Sequence, residues 1–174
     1  VADLRAIGLE ALCGLILQQQ GYVSPELGLI VDWKETKRDI DVYAIKADDE
    51  LRIVECKAYH RRKSITEIDV TKFFTSTVPA LKKWLRENHR PFKTCVAEIW
   101  TTGPKGKVAE TALRGLSCPS TDTWRLRRLS DMHDEIPARI RERSVKLLSA
   151  IALTPELTSD PEIDGEEPVE VQDS

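Results

Sequence analysis

An α/β fold, with a mixed sheet flanked by helices, is the architecture this sequence predicts. Three observations predict it. The chain opens on an apolar stretch with helical spacing. Three runs of strand-like residues then follow, separated by polar turns. From residue 66 onward, helical and strand-like segments alternate. A meander of three strands followed by crossovers through helices implies a mixed sheet covered on both faces.

Residues 3–20 are the first expected helix, with Leu4, Ile7, Ala11, Leu12 and Leu15 at the 3.6-residue period and Gly21 as its stop. Ser24-Pro25 predicts a turn. Strands are expected over 27–33, 39–46 and 51–58. In the second, Ile40, Val42 and Ala44 alternate with Asp41, Tyr43 and Ile45; Asp48-Asp49-Glu50 turns the chain, and the Ile53-Val54 pair favours a strand in the third. Helices are expected over 66–76 and 80–88, with Pro79 breaking or restarting the chain between them. Then come a buried strand over 92–102, a turn at Gly103-Pro104-Lys105-Gly106, a short helix over 107–116 and a strand over 124–129. A last helix covers 131–153, interrupted at Pro137. The order is α-β-β-β-α-β-α-β-α, one domain over residues 1–153.

At 174 residues, with 41% apolar and 32% charged residues, the chain is the size and composition of a single globular domain. No apolar run approaches the ~18 residues that would cross a bilayer, and the N-terminus lacks the layout of a signal peptide. The expectation is a cytoplasmic, intracellular protein with no membrane association. Cys13, Cys56, Cys95 and Cys118 form no CxxC pair and read as reduced thiols. The chain begins at Val1, as one domain of a longer polypeptide would. Net charge is −3, unevenly spread. Residues 154–174 hold eight of the 29 acids and no base, and read as an acidic disordered tail or linker. The remainder carries 26 bases against 21 acids, a mild positive excess compatible with a polyanionic partner. A tail lying over the basic loop as a phosphate mimic is one expectation that follows.

The chemistry sits in Arg38-Asp39-Ile40-Asp41-Val42 and Leu51-Arg52-Ile53-Val54-Glu55-Cys56-Lys57. Alternate side chains of a strand share a face, so Glu55 and Lys57 stand side by side and Cys56 points away. A hairpin brings Asp41 beside Glu55. Two neighbouring carboxylates repel and raise each other's pKa unless a cation intervenes. Mg²⁺ (or Mn²⁺) suits such a site, because it takes oxygen ligands and keeps several waters. The backbone carbonyl of Cys56 is a further candidate ligand, and Lys57 could orient or activate the attacking water and offset transition-state charge. Glu10 is the only charged residue between Arg5 and Glu26, among small or apolar neighbours on its helix. A carboxylate there is expected to face the metal or its water shell.

This constellation resembles the PD-(D/E)xK nuclease superfamily over about residues 3–102. That family has a restriction-endonuclease-like α-β-β-β-α-β core, an Asp on the second strand, Glu-x-Lys on the third and often a Glu on the first helix. The matching positions are Asp41, Glu55-Cys56-Lys57 and Glu10. The phrases Ile40-Asp41-Val42 and Ile53-Val54-Glu55-Cys56-Lys57 are similar to those of Mrr-type restriction endonucleases and archaeal Holliday-junction resolvases. No proline precedes Asp41, a departure from the pattern. The resemblance implies a Mg²⁺-dependent endodeoxyribonuclease in defence or DNA processing, and cutting both strands of a duplex would call for a homodimer.

His60, Arg61, Arg62 and Lys63 follow the motif and form a candidate phosphate-gripping loop. Lys72, sharing a helical face with Asp69 and Thr66, is a candidate nucleic-acid contact on the next helix, against the plainer reading of an outward charge. Lys82, Lys83 and Arg86, then Arg125, Arg127 and Arg128, then Arg139, Arg141 and Arg143, read first as solvated basic surfaces. Two rival functions remain: a nucleic-acid-binding module without turnover, and an assembly domain on which the acidic tail docks.

Overall fold

A computed structural model describes residues 2–59 and 62–135, with the side chains of 7–59 and 62–132. Residues 136–153 of the expected 131–153 helix and the 154–174 tail, with Arg139, Arg141 and Arg143, lie outside the described residues, as do His60 and Arg61.

The first helix, α1, spans Ala2–Gln19. It stops where expected: Gly21 adopts φ 88°, and its N–H donates to the Gln18 carbonyl at 3.1 Å. The buried face differs from the expected stripe. Leu9, Leu12, Cys13, Ile16 and Leu17 are buried, whereas Ile7 and Leu15 are 59% and 50% exposed. Apolar residues lie all round this helix, so periodicity alone could not select the face that meets the sheet.

Three strands follow: β1 (Tyr22–Trp33), β2 (Thr36–Lys46) and β3 (Glu50–Lys57). β1 starts earlier than expected, because Ser24-Pro25 is not a turn. It sits inside the strand, where the β1–β2 register shifts between Val23 and Glu26 and Ser24 takes φ 44°. Proline is tolerated there because β1 is an edge strand and a bulge needs no ladder N–H. The β2–β3 hairpin turns at residues 47–49, with Asp49 at φ 63°.

Next come α2 (Glu67–Lys72), a π-helical turn (Phe73–Thr77) and α3 (Val78–Glu87). The expected break at Pro79 is a restart without interruption. Proline falls at the first positions of α3, and the wider π turn before it relieves the clash of its ring with the preceding carbonyls. The chain then runs through β4 (Thr94–Thr101), α4 (Lys107–Gly115), β5 (Asp122–Arg128) and a 3₁₀ helix (Leu129–Glu135).

The five strands lie in sequence order, β1-β2-β3-β4-β5. The first two pairings are antiparallel and the last two parallel, so the sheet is mixed. The two parallel crossovers, β3 to β4 and β4 to β5, share a direction. Right-handed connections therefore put α2, α3 and α4 on one face, where Val70, Phe73, Phe74, Leu81, Leu85 and Ala109 pack on Tyr43, Leu51, Ile53, Ala97 and Ile99. On the opposite face α1 packs on Val42, Ala44, Val54, Cys56 and Trp100. The central strand β3 is thus buried on both sides, which explains its apolar Leu51, Ile53 and Val54. No helix of the described residues is long and apolar enough to cross a membrane.

One polar group crosses the α1 face. Glu98, fully buried on β4, accepts from Arg52 Nη2 and Trp100 Nε1, each at 2.7 Å. Arg125 and Arg127 stand 3.7 and 3.9 Å from its other oxygen. These two arginines therefore serve a buried carboxylate rather than a purely solvated strand face. Lys82, expected on a basic helix surface, instead pairs with Asp122 at 2.5 Å.

Removing one partner of a buried ion pair strands the other. Glu98→Ala is expected to destabilise the fold by about 3–5 kcal/mol in a urea titration. A loss under about 1 kcal/mol would mean that Arg52 finds solvent instead.

Candidate active site

The motif residues meet at a fork in the sheet. The β2–β3 pairing runs from Ile45↔Leu51 to Val42↔Val54 and no further. Beyond that point β2 keeps its pairing with β1 through Ile40, Asp39 and Arg38, while β3 keeps its pairing with β4 through Glu55, Cys56 and Lys57. Asp41 stands in the crotch of this fork. Its carboxylate accepts the Cys56 backbone N–H at 2.6 Å, filling the role that a ladder carbonyl would otherwise play.

Glu55 and Lys57 share a face, as strand alternation requires, and Lys57 Nζ lies 2.8 Å from Glu55 Oε1. Cys56 points to the other face, buried against Cys13 of α1. Lys57 meets a second carboxylate, Asp69 Oδ1, at 3.6 Å. Asp69 belongs to α2. Its Oδ2 accepts from the Tyr59 hydroxyl at 2.9 Å, the Thr66 N–H at 2.9 Å and the Thr66 hydroxyl at 2.8 Å. The segment after β3 is anchored as well: the Thr102 hydroxyl donates to the Tyr59 carbonyl at 2.7 Å.

The electrostatics follow from this crowding. Burial and the Glu55 charge, with a smaller push from Glu10, outweigh the Cys56 N–H and Lys57, so the Asp41 carboxyl is pushed up to about 7. Glu10, half-buried on α1, is also raised, by burial and then by Asp39 and Glu55. Burial disfavours the Lys57 ammonium, but Glu55 and Asp69 overcome it and hold its pKa above the ordinary lysine value. Lys57 therefore stays charged at neutral pH. Asp69 moves the other way: burial opposes its charge, yet Thr66, Tyr59 and Lys57 keep it below the usual carboxylate range.

Asp41, Glu55 and Lys57 thus come together, and Glu10 lies within electrostatic reach of the pair. Among the described residues, no three or more His, Cys, Asp or Glu side chains gather closely enough to hold an ion by themselves. The side-chain donors are the Asp41–Glu55 pair, with Glu10 acting on them through its charge. This donor set still fits a hard divalent cation. The donors are oxygens, their mutual repulsion is what a cation relieves, and Mg²⁺ completes its shell with water and backbone oxygen.

Of the candidate nucleic-acid contacts, Arg62 and Lys63 are exposed, and Lys63 Nζ stands 4.6 Å above the Tyr59 ring. Lys72 ends α2 in an exposed position, without a hydrogen bond or ion pair to the cluster. The α2 residue that does reach the site is Asp69. Sequence reading placed it on the same helical face but assigned it no role. The available signal was the pairing of Thr66 with Asp69 three residues on, a capping-box spacing that fixes the acid at the start of α2.

No protein-family model matches the chain, and no curated protein matches it. The fold is similar to the crystal structure of a protein of unknown function, AF1548, at a TM-score of 0.54 and 15% identity, covering 82% of this chain and 67% of that one.

A carboxylic acid whose folded-state pKa lies above its unfolded value of 3.8 makes the folded state bind more protons between about pH 4 and 7. Stability contributed by that proton is present at low pH and falls as pH rises through this window. In metal-free protein, Asp41→Asn should therefore exceed wild type in stability at pH 8 by about 1–3 kcal/mol, and the gain should vanish near pH 4. Parallel stability curves across this range would contradict the assigned environment.

Proposed function

We propose that this protein is a divalent-metal-dependent endonuclease hydrolysing phosphodiester bonds, with DNA as the expected substrate. The observation that carries the reading is the fork between β2 and β3. It sets Asp41 beside the Glu55–Lys57 pair at the carboxyl end of a buried central strand, a position where α/β sheets place ligands. The resemblance of the same residues to the PD-(D/E)xK pattern supports it, and so does the α-β-β-β-α-β order of the elements.

Asp41 and Glu55 would hold Mg²⁺ or Mn²⁺, with the Cys56 carbonyl and water as the remaining expected donors. A cation bound there supplies polarisation of the phosphoryl oxygen and a lower pKa for water. The Cys56 N–H fixes one Asp41 oxygen and leaves the other to bind. Glu10 adds negative charge that favours a cation over an anion at the fork. Glu55 and Asp69 favour the charged form of Lys57 in the metal-free site, where it can act as a donor. In that state it would orient the attacking water and offset charge on the phosphate. Arg62 and Lys63, exposed beyond the end of β3, would meet neighbouring phosphates.

The test is cleavage of labelled duplex DNA, single-stranded DNA, four-way junction and RNA, each with Mg²⁺, Mn²⁺ or EDTA. Wild-type protein is expected to cut at least one DNA substrate with metal only, and Asp41→Ala and Lys57→Ala each to lose about 100-fold or more in rate. Binding of DNA without cutting under every condition would replace this reading with a non-catalytic nucleic-acid-binding module.

A further inference from the structure

We infer that Asp69 is a positioning residue for Lys57, giving its ammonium a second carboxylate on a different element from Glu55. The inference rests on the nuclease reading for its catalytic meaning, but its geometry stands apart from it.

A capping box needs only two bonds, one from the Thr66 side chain to the Asp69 N–H and one from the Thr66 N–H back to the Asp69 carboxylate, and both are present. An acid with no further task would leave its remaining lone pairs to solvent. Asp69 instead accepts the Tyr59 hydroxyl and the Thr66 hydroxyl on the same Oδ2, and presents Oδ1 to Lys57. Three donors on one oxygen fix the carboxylate plane, so the direction offered to Lys57 is set before any ligand arrives.

Lys57 needs such a partner because Glu55 has two demands on it. In this structure Glu55 makes the short contact with the lysine, at 2.8 Å against 3.6 Å for Asp69. A Glu55 turned toward a cation gives up part of that contact. A lysine with one acceptor would then regain the rotamer freedom of its long side chain. Asp69, tied to the start of α2 and to Tyr59, stays in place and keeps the ammonium at the site. Tyr59 carries the link outward, since Lys63 lies over its ring.

The variants are Asp69→Asn, which removes the charge but keeps an oxygen for Thr66; Asp69→Glu, which restores the charge; and Tyr59→Phe, which leaves the capping box intact. The first readout is the side-chain ammonium signal of Lys57 in a ¹H–¹⁵N spectrum of metal-free protein, assigned by its loss in Lys57→Arg. The second is kcat and KM on the substrate that wild type cuts, with the melting temperature as a control on folding. Asp69→Asn is expected to broaden or lose the Lys57 signal and to lower kcat by about tenfold or more, with KM and the Mg²⁺ half-saturation within about twofold of wild type. Asp69→Glu should recover part of kcat, and Tyr59→Phe should show a smaller loss in both readouts. Should Asp69→Asn fail to fold, Tyr59→Phe carries the test. An unchanged Lys57 signal and kcat in a folded variant would overturn the positioning role while leaving the nuclease reading intact. A changed signal in a protein that cuts nothing would sustain the positioning and sink the nuclease reading.

Discussion

The hydrogen bond from the Cys56 N–H to the Asp41 carboxylate is the contact on which the candidate site depends. Where it forms, the β2–β3 ladder ends and the two strands part. The parting alone would leave a backbone donor unpaired at the edge of the core, at a cost of about 1–3 kcal/mol. A carboxylate in the crotch satisfies that donor and is held against Glu55 in the same stroke. The fork is therefore also what makes the site electrostatically strained. The sheet that satisfies Asp41 also desolvates it, and Glu55 beside it raises it further. A cation would relieve both effects.

Around the fork, the helices divide the remaining work. α1 closes one face with Leu9, Cys13 and Ile16, and brings Glu10 to the rim. α2, on the other face, delivers Asp69 to Lys57. The site thus draws on both layers, and its geometry depends on both cores being packed. The buried Arg52–Glu98 pair lies on the α1 side and ties β3, the strand that carries Glu55 and Lys57 to the fork, to its neighbour β4.

Much of this was legible in the chain because local rules and the global fold agree. The meander followed by helical crossovers implied a mixed sheet, and strand parity placed Glu55 beside Lys57 with Cys56 behind them. A two-strand hairpin brought Asp41 close. Other features depended on tertiary context. Ser24-Pro25 carries a strong turn signal, yet an edge strand absorbs it as a bulge. The sheet-facing side of α1 could not be chosen, since apolar residues surround the helix, and it fell on Leu9, Cys13, Ile16 and Leu17 rather than on Ile7 and Leu15. Glu98 was passed over inside an apolar strand because its partner Arg52 is 46 positions away, and no local pattern joins them. Asp69 could be seen as a cap but not as a partner of Lys57, because that contact depends on how α2 sits on the sheet.

Locating a cation between Asp41 and Glu55 is the most direct test of the proposed site. A crystal of the protein grown with Mn²⁺ and measured for anomalous scattering should show a peak within about 2.0–2.5 Å of oxygens from Asp41 and Glu55, with Lys57 still beside Asp69, and Asp41→Asn should lose the peak. A crystal saturated with Mn²⁺ that places its ions elsewhere, with the fork bare, would contradict the assignment.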